Sequence, residues 1–141
     1  MRTRRKPTAT WLAAATRPVD ASSLAVVRVA LGLVGLLSVA RTLAYGWVAS
    51  LYAGPSHRFT YLGLAWVPQP TVLQAQGLLA VLALASLGLV LGWRTRWSAV
   101  GFLAAFAWIE LIDATTYLNH YWFLTLAGAL AVVAPASVRN Q

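Results

Sequence analysis

Cysteine is absent from the 141 residues. That removes disulfides, thiolate catalysis, zinc–thiolate sites and iron–sulfur clusters together. Acid is nearly absent as well: Asp20, Glu110 and Asp113 are the only carboxylates, and His57 and His120 the only imidazoles. A metal cage of several ligands would have to draw on almost all of them, so no metal site is expected. Charge of either sign is scarce, at 10% of residues against 60% hydrophobic. An average soluble domain is about 25% charged and about 45–50% apolar. A chain so poor in polar side chains cannot cover itself for water, and its composition points to lipid as the solvent.

What charge there is has one sign, with a formal net of +8. Five of the 11 basic residues, Arg2, Arg4, Arg5, Lys6 and Arg17, precede the first apolar segment. This is a juxtamembrane basic tail, which anionic cytoplasmic headgroups attract. It lacks the aromatic interleaving of a nucleic-acid platform, so no nucleic-acid partner is expected. Within residues 1–22 the only apolar stretch is Trp11 to Ala15, shorter than a signal-peptide core and followed at once by Arg17, Pro18 and Asp20. The tail is expected to stay attached. Arg4 and Arg5 are not followed by the apolar residues of a twin-arginine signal.

Four apolar runs follow, and they predict helices at about 23–45, 72–93, 97–114 and 119–135. Ser22 or Ser23 suits the cap of the first. The third and fourth runs are each roughly 25 Å long at ~1.5 Å per residue, short for a ~30 Å hydrocarbon core but workable with interfacial flanks. A single helix through both would be far too long. The chain must therefore reverse near Ala114 to Asn119, where Thr115, Thr116 and Asn119 can bond freed backbone groups, Asn119 as an N-cap. The loops orient the runs: the tail, Arg94 with Arg96, and Arg139 are basic, whereas the long loop 46–71 holds only Arg58. Trp93 and Trp97 then fall at the inner interface, and Tyr45, Trp47, Tyr52, Trp66, Tyr117 and Tyr121 at the outer one. The fold expected is all-α: a polytopic cell-membrane protein, a bundle of about four transmembrane helices with both termini cytoplasmic. Residues 1–22 form its basic cytoplasmic tail, residues 23–141 the membrane domain, and the aromatic-rich loop 46–71 lies on or dips into the outer interface.

Two of the three acids, Glu110 and Asp113, stand three apart at the outer end of the third run, hence on one helix face. An ionised group at a membrane-helix centre costs ~2.5–3.5 kcal/mol on insertion scales, so such groups tend to be paired, cavity-facing or functional. From Glu110 to His120 the reversal gathers two carboxylates, two threonine hydroxyls, an amide and an imidazole. The alternative is a set of helix-end residues hydrated by the interface. Clustering argues for function, because the rest of the chain offers few polar side chains. A histidine within reach of a carboxylate is held in one tautomer and can donate or accept a proton. Arg28, inside the first helix, is expected to snorkel to the inner headgroups, with a buried ion pair as second choice. Gly88-Leu-Val-Leu-Gly92 is a small-residue spacing that allows close helix approach.

Three runs and a loop carry a family resemblance: Arg17-Pro-Val-Asp-Ala-Ser-Ser-Leu-Ala-Val-Val-Arg28, Leu87-Gly-Leu-Val-Leu-Gly92-Trp-Arg94, Ile112-Asp-Ala-Thr-Thr-Tyr-Leu-Asn-His120-Tyr, and Phe59-Thr-Tyr-Leu-Gly-Leu-Ala-Trp66. Across about 17–135 the chain resembles the N-terminal part of the vitamin K-dependent gamma-carboxylase family, whose membrane portion is the HTTM (horizontally transferred transmembrane) domain. The segment from Asp113 to His120 is its most specific motif. Members oxidise reduced vitamin K at an extracytoplasmic site, and the base so generated abstracts a glutamate γ-proton for carboxylation by CO2. The resemblance implies catalytic roles for His120, Asp113 and Asn119, with Glu110 and Tyr117 as cofactor contacts and reduced vitamin K or another quinone as cofactor. The family's catalytic lysine comes from a later helix, and the only lysine in these 141 residues is Lys6. Where the animal enzymes carry Trp and Asn, this chain has Tyr117 and Leu118.

The resemblance therefore implies an HTTM membrane protein that is not a complete carboxylase and is inactive as a carboxylase alone. The rival reading is a non-catalytic small membrane subunit, similar to DoxX-type proteins, that binds quinone or lipid at its outer face. Membrane lipids are partners in either case, and helix faces of this kind also admit homo- or hetero-oligomers. A multidrug-type transporter is disfavoured, since that family relies on an acid in its first helix and the first run here has arginines and no carboxylate.

Overall fold

The computed structural model describes residues 21–53, 57, 59–114 and 119–133, with side chains left undescribed at 21, 51–53, 119–121 and 133. Four α-helices account for most of it: α1 (Ala21–Ala44), α2 (Val72–Leu91), α3 (Thr95–Leu111) and α4 (Asn119–Val133), with a short π-helical segment, Val48–Ala53, after α1. No strand occurs among the described residues. The helices form where apolar runs lie between breakers, but their ends differ from expectation in instructive ways.

Helix α1 is already helical at Ala21, which puts Ser22 and Ser23 inside its first turn rather than at its cap. Helix α2 starts on a reciprocal capping box: the Thr71 hydroxyl accepts from the Gln74 amide at 3.3 Å, and the Thr71 amide donates to Gln74 Oε1 at 2.9 Å. It stops at Leu91, two residues early, because Gly92 turns left-handed at φ 74°. The Trp93 amide then donates to the Gly88 carbonyl and the Gly92 amide to Leu89, which is a Schellman closure. Arg94, at φ 40°, is also left-handed and leads directly into α3, so α2 and α3 form a tight hairpin. Helix α3 ends at Leu111, short of 114. The Ala114 amide, which a continuing helix would give to Glu110, donates to the Phe59 carbonyl at 2.7 Å instead.

Successive helices pack on one another, and α4 touches α1. The core lies where glycines remove side chains. Phe102 of α3 is fully buried and stacks on Phe106 at 5.4 Å. A Cβ on Gly35 of α1 would meet Phe102 Cε2 at 2.6 Å and collide with Ser86, and one on Gly128 of α4 would meet Phe102 Cδ1 at 3.3 Å. The Gly88–Gly92 spacing has two separate uses: Gly88 admits Ser98 of α3, while Gly92 forms the turn. Arg28 does not extend past the bundle end. Its guanidinium lies over Gly92, with Nη2 3.2 Å from where a Cβ would stand. That sets its charge against the negative end of the α2 dipole.

Outside, the helices are apolar. Leu37, Leu84 and Leu130, on α1, α2 and α4, are about 70% exposed. Helices α1 (Ser22–Ala44) and α2 are long and apolar enough to cross a membrane; α3 and α4, at 17 and 15 residues, are shorter.

The glycine contacts generate a paired expectation. Gly35→Ala should lower stability by ~1–3 kcal/mol, the usual cost of overpacking. Gly77→Ala, also helical but with nothing within 4 Å of the added methyl, should be neutral or stabilising by up to ~1 kcal/mol through propensity. Equilibrium unfolding in mixed detergent micelles measures both, and equal losses would contradict the packing.

Candidate functional site

The end of the bundle that carries the C-termini of α1 and α3 and the N-termini of α2 and α4 is capped by the loop after α1. Gly46, at φ 66°, reverses the chain, and Val48 packs back on α2. Residues 59–71 then run across α3 and α4. Trp66 meets Trp108 of α3 edge to face at 6.3 Å, and Tyr61 meets Trp122 of α4 at 6.3 Å. Val67, with 1% exposure, plugs this layer. The loop thus lies down on the bundle, tied by the Phe59–Ala114 hydrogen bond.

At the same end of the bundle, bordered by Trp47 and the helices, is a cavity of about 200 Å³. Leu37 of α1, Leu79 and Leu82 of α2, Phe106 and Ile109 of α3 and Leu124 of α4 form its apolar wall. Its polar groups come from two sides. Glu110, at the last turn of α3, is only 6% exposed, and its Oε2 is buried without a hydrogen-bond partner. Facing the same space from α1 are Ser38, Arg41 and Thr42, a set at i, i+3 and i+4 and therefore on one helix face. The Arg41 guanidinium sits over the Trp47 ring at 4.7 Å, and Trp47 in turn stacks on Tyr45 at 5.2 Å. No direct ion pair joins Arg41 to Glu110, although both line one cavity.

The residues anticipated as a site divide. Glu110 lines the cavity. Asp113 is buried at 7% exposure, but it lies two residues beyond the end of α3 and is not on the cavity wall. The two acids consequently do not share one face of a continuing helix, because α3 ends when the Ala114 amide turns to Phe59. Asn119 and His120 begin α4, where only their backbone is described, and Asn119 is itself helical there. Tyr117, together with Thr115, Thr116 and Leu118, lies outside the described residues. No group of three or more His, Cys, Asp and Glu that could hold a metal ion occurs among the described residues.

Sequence reasoning passed over Ser38, Arg41, Thr42 and Trp47. The signal was present: an arginine inside an apolar helix is a functional hypothesis by default, and here two hydroxyls share its face.

These features define a class: an all-helical bundle, apolar outside, with two helices able to cross a membrane and one polar cavity at the end that the loop caps. The family model described as the HTTM domain matches residues 16–139, and the chain belongs to that family. No curated relative and no solved structure matches it significantly.

Proposed function

We propose that this HTTM-domain protein crosses the cell membrane four times with both ends cytoplasmic, and that its outer-end cavity binds the polar head of a lipophilic ligand, a quinone or a lipid. The observation that carries the reading is the cavity between the helices at this end, apolar on most sides yet holding a buried carboxylate oxygen without a partner. Binding sites combine apolar walls with a few convergent polar groups in this way. Size agrees: an apolar cavity of ~150 Å³ takes up benzene, so about 200 Å³ accommodates one substituted ring or a small headgroup.

The antiparallel order of the helices and their apolar exterior support four spans. Helices α3 and α4 reach the interfaces through exposed flanks such as Trp97, beside the α2–α3 turn. Lysine and arginine concentrate before α1 and in that turn, and this puts Arg94 and Arg96 inside and the cavity outside.

Carboxylase-like chemistry is the narrower part of the resemblance. The resemblance gives His120, Asp113 and Asn119 catalytic roles and Glu110 and Tyr117 cofactor contacts, and α4, which begins at Asn119, starts at this end of the bundle. The strong base is lacking: Lys6, the one lysine, lies in the basic stretch across the bilayer from the cavity. Binding needs fewer groups than catalysis. That Asp113 is off the wall favours the second reading, a non-catalytic, DoxX-like subunit that holds quinone or lipid.

The absence of native cysteine makes the topology directly testable. Of two single-cysteine variants, His57→Cys should react with an impermeant maleimide in intact cells and Thr95→Cys should be protected. The reverse pattern would overturn both the orientation and the placement of the cavity.

The 141-residue chain alone should not carboxylate a glutamate peptide when given reduced vitamin K and labelled CO2. Product well above that of a His120→Ala control would show a base other than lysine at work.

A further inference from the structure

Arg41 and Glu110 are opposite charges that face one cavity without touching. Glu110 Oε2 is buried and unpartnered, and the Arg41 guanidinium rests on Trp47. Glu110 alone is poorly placed, since a buried charge wants an opposite charge and hydrogen bonds, whereas Arg41 is exposed and open to an anion from outside the bundle. The cation–π contact occupies only the flat face of the guanidinium, leaving its in-plane N–H fork for an anion. A group between the two must therefore offer a cation to Glu110 and an anion to Arg41.

We propose that the cavity takes a zwitterionic phospholipid headgroup of the phosphoethanolamine kind, its ammonium on Glu110 and its phosphate on Arg41. The inference rests on the reading of this cavity as a ligand site and names the ligand's class. A purely anionic headgroup would satisfy Arg41 but leave Glu110 bare. An oxidised quinone carries only acceptors and gives the carboxylate nothing, and a hydroquinone can donate to Glu110 but brings no anion to Arg41. A choline headgroup carries the right charges, but its quaternary nitrogen has no N–H to donate, and of the two aromatic rings on the wall Trp47 carries Arg41 and Phe106 stacks on Phe102. A primary ammonium supplies three donors to Glu110. Ser38 and Thr42, on the same face of α1 as Arg41, add hydroxyls that donate to phosphate.

The way in is lateral. Val34 and Leu37 line the cavity and are also exposed on the outside of α1, at 39% and 68%. The cavity thus opens beside α1 toward the acyl-chain region, and a lipid can keep its chains along Val34 and Leu37 while its headgroup turns inward.

The test is native mass spectrometry of the full 141-residue chain, released from detergent after equilibration with dioleoyl phosphatidylethanolamine, phosphatidylcholine and phosphatidylglycerol in equal amounts plus a short-chain naphthoquinone. The ethanolamine lipid should be retained in preference to the other three, and Glu110→Gln and Arg41→Gln should each cut its retention about tenfold, the scale of one lost charge-assisted contact. The preference over phosphatidylcholine is read on the unaltered chain, so it stands even if a variant unfolds. Equal retention of ethanolamine and choline lipids, or unchanged retention by Glu110→Gln, would overturn the inference. Preferential retention of phosphatidylglycerol or the quinone would overturn it while leaving the cavity a ligand site. Retention of none of the four would remove both readings.

Discussion

The bundle depends on one wedge. Phe102 has no exposed surface because two neighbouring helices present glycine to its ring, Gly35 from α1 and Gly128 from α4. In lipid the hydrophobic effect does not drive helices together, and association rests on close packing, which small residues permit. With Gly35 pressed against Phe102 and Ser86, the register of α1 on α2 and α3 is fixed. One turn onward that register brings Ser38, Arg41 and Thr42 over Leu82, Phe106 and Glu110. The cavity is the space left where α1 runs on past the wedge.

The two bundle ends differ for a related reason. At the α2–α3 turn, two successive left-handed residues, Gly92 and Arg94, close the hairpin tightly, and Arg28 fills the remaining space against the α2 terminus. That end is charged and shut. At the other end the connection from α1 to α2 is long and lies across α3 and α4 as an aromatic layer, and one buried carboxylate oxygen, Glu110 Oε2, has no hydrogen-bond partner. Membership of the HTTM family agrees with a membrane role for the whole.

Much of the fold was legible because apolar runs bounded by Pro, Gly and charge admit few other readings. The α2 span missed by two residues at Gly92, where a Schellman closure competes with one more turn of helix, and α3 stopped early because a loop carbonyl captured the Ala114 amide. Neither partner is visible in local sequence. Glu110 was found because acid is so rare here. Asp113 was assigned to the same face on the assumption of a continuing helix, and the break at Leu111 removed that premise. Arg41 was given no role from the sequence, because its place on one cavity with Glu110 depends on how the helices pack. For Tyr117, Asn119 and His120 the argument rests on resemblance.

A double-mutant cycle of Arg41→Gln and Glu110→Gln on the unfolding free energy most directly tests whether these charges wait for a ligand rather than for each other. In delipidated detergent micelles the two effects should add to within ~0.5 kcal/mol, as they do for groups that share no contact, and a coupling should appear once phosphatidylethanolamine is added. Strong coupling without lipid, unchanged on its addition, would mean that Arg41 and Glu110 already neutralise one another and that the cavity is a structural gap.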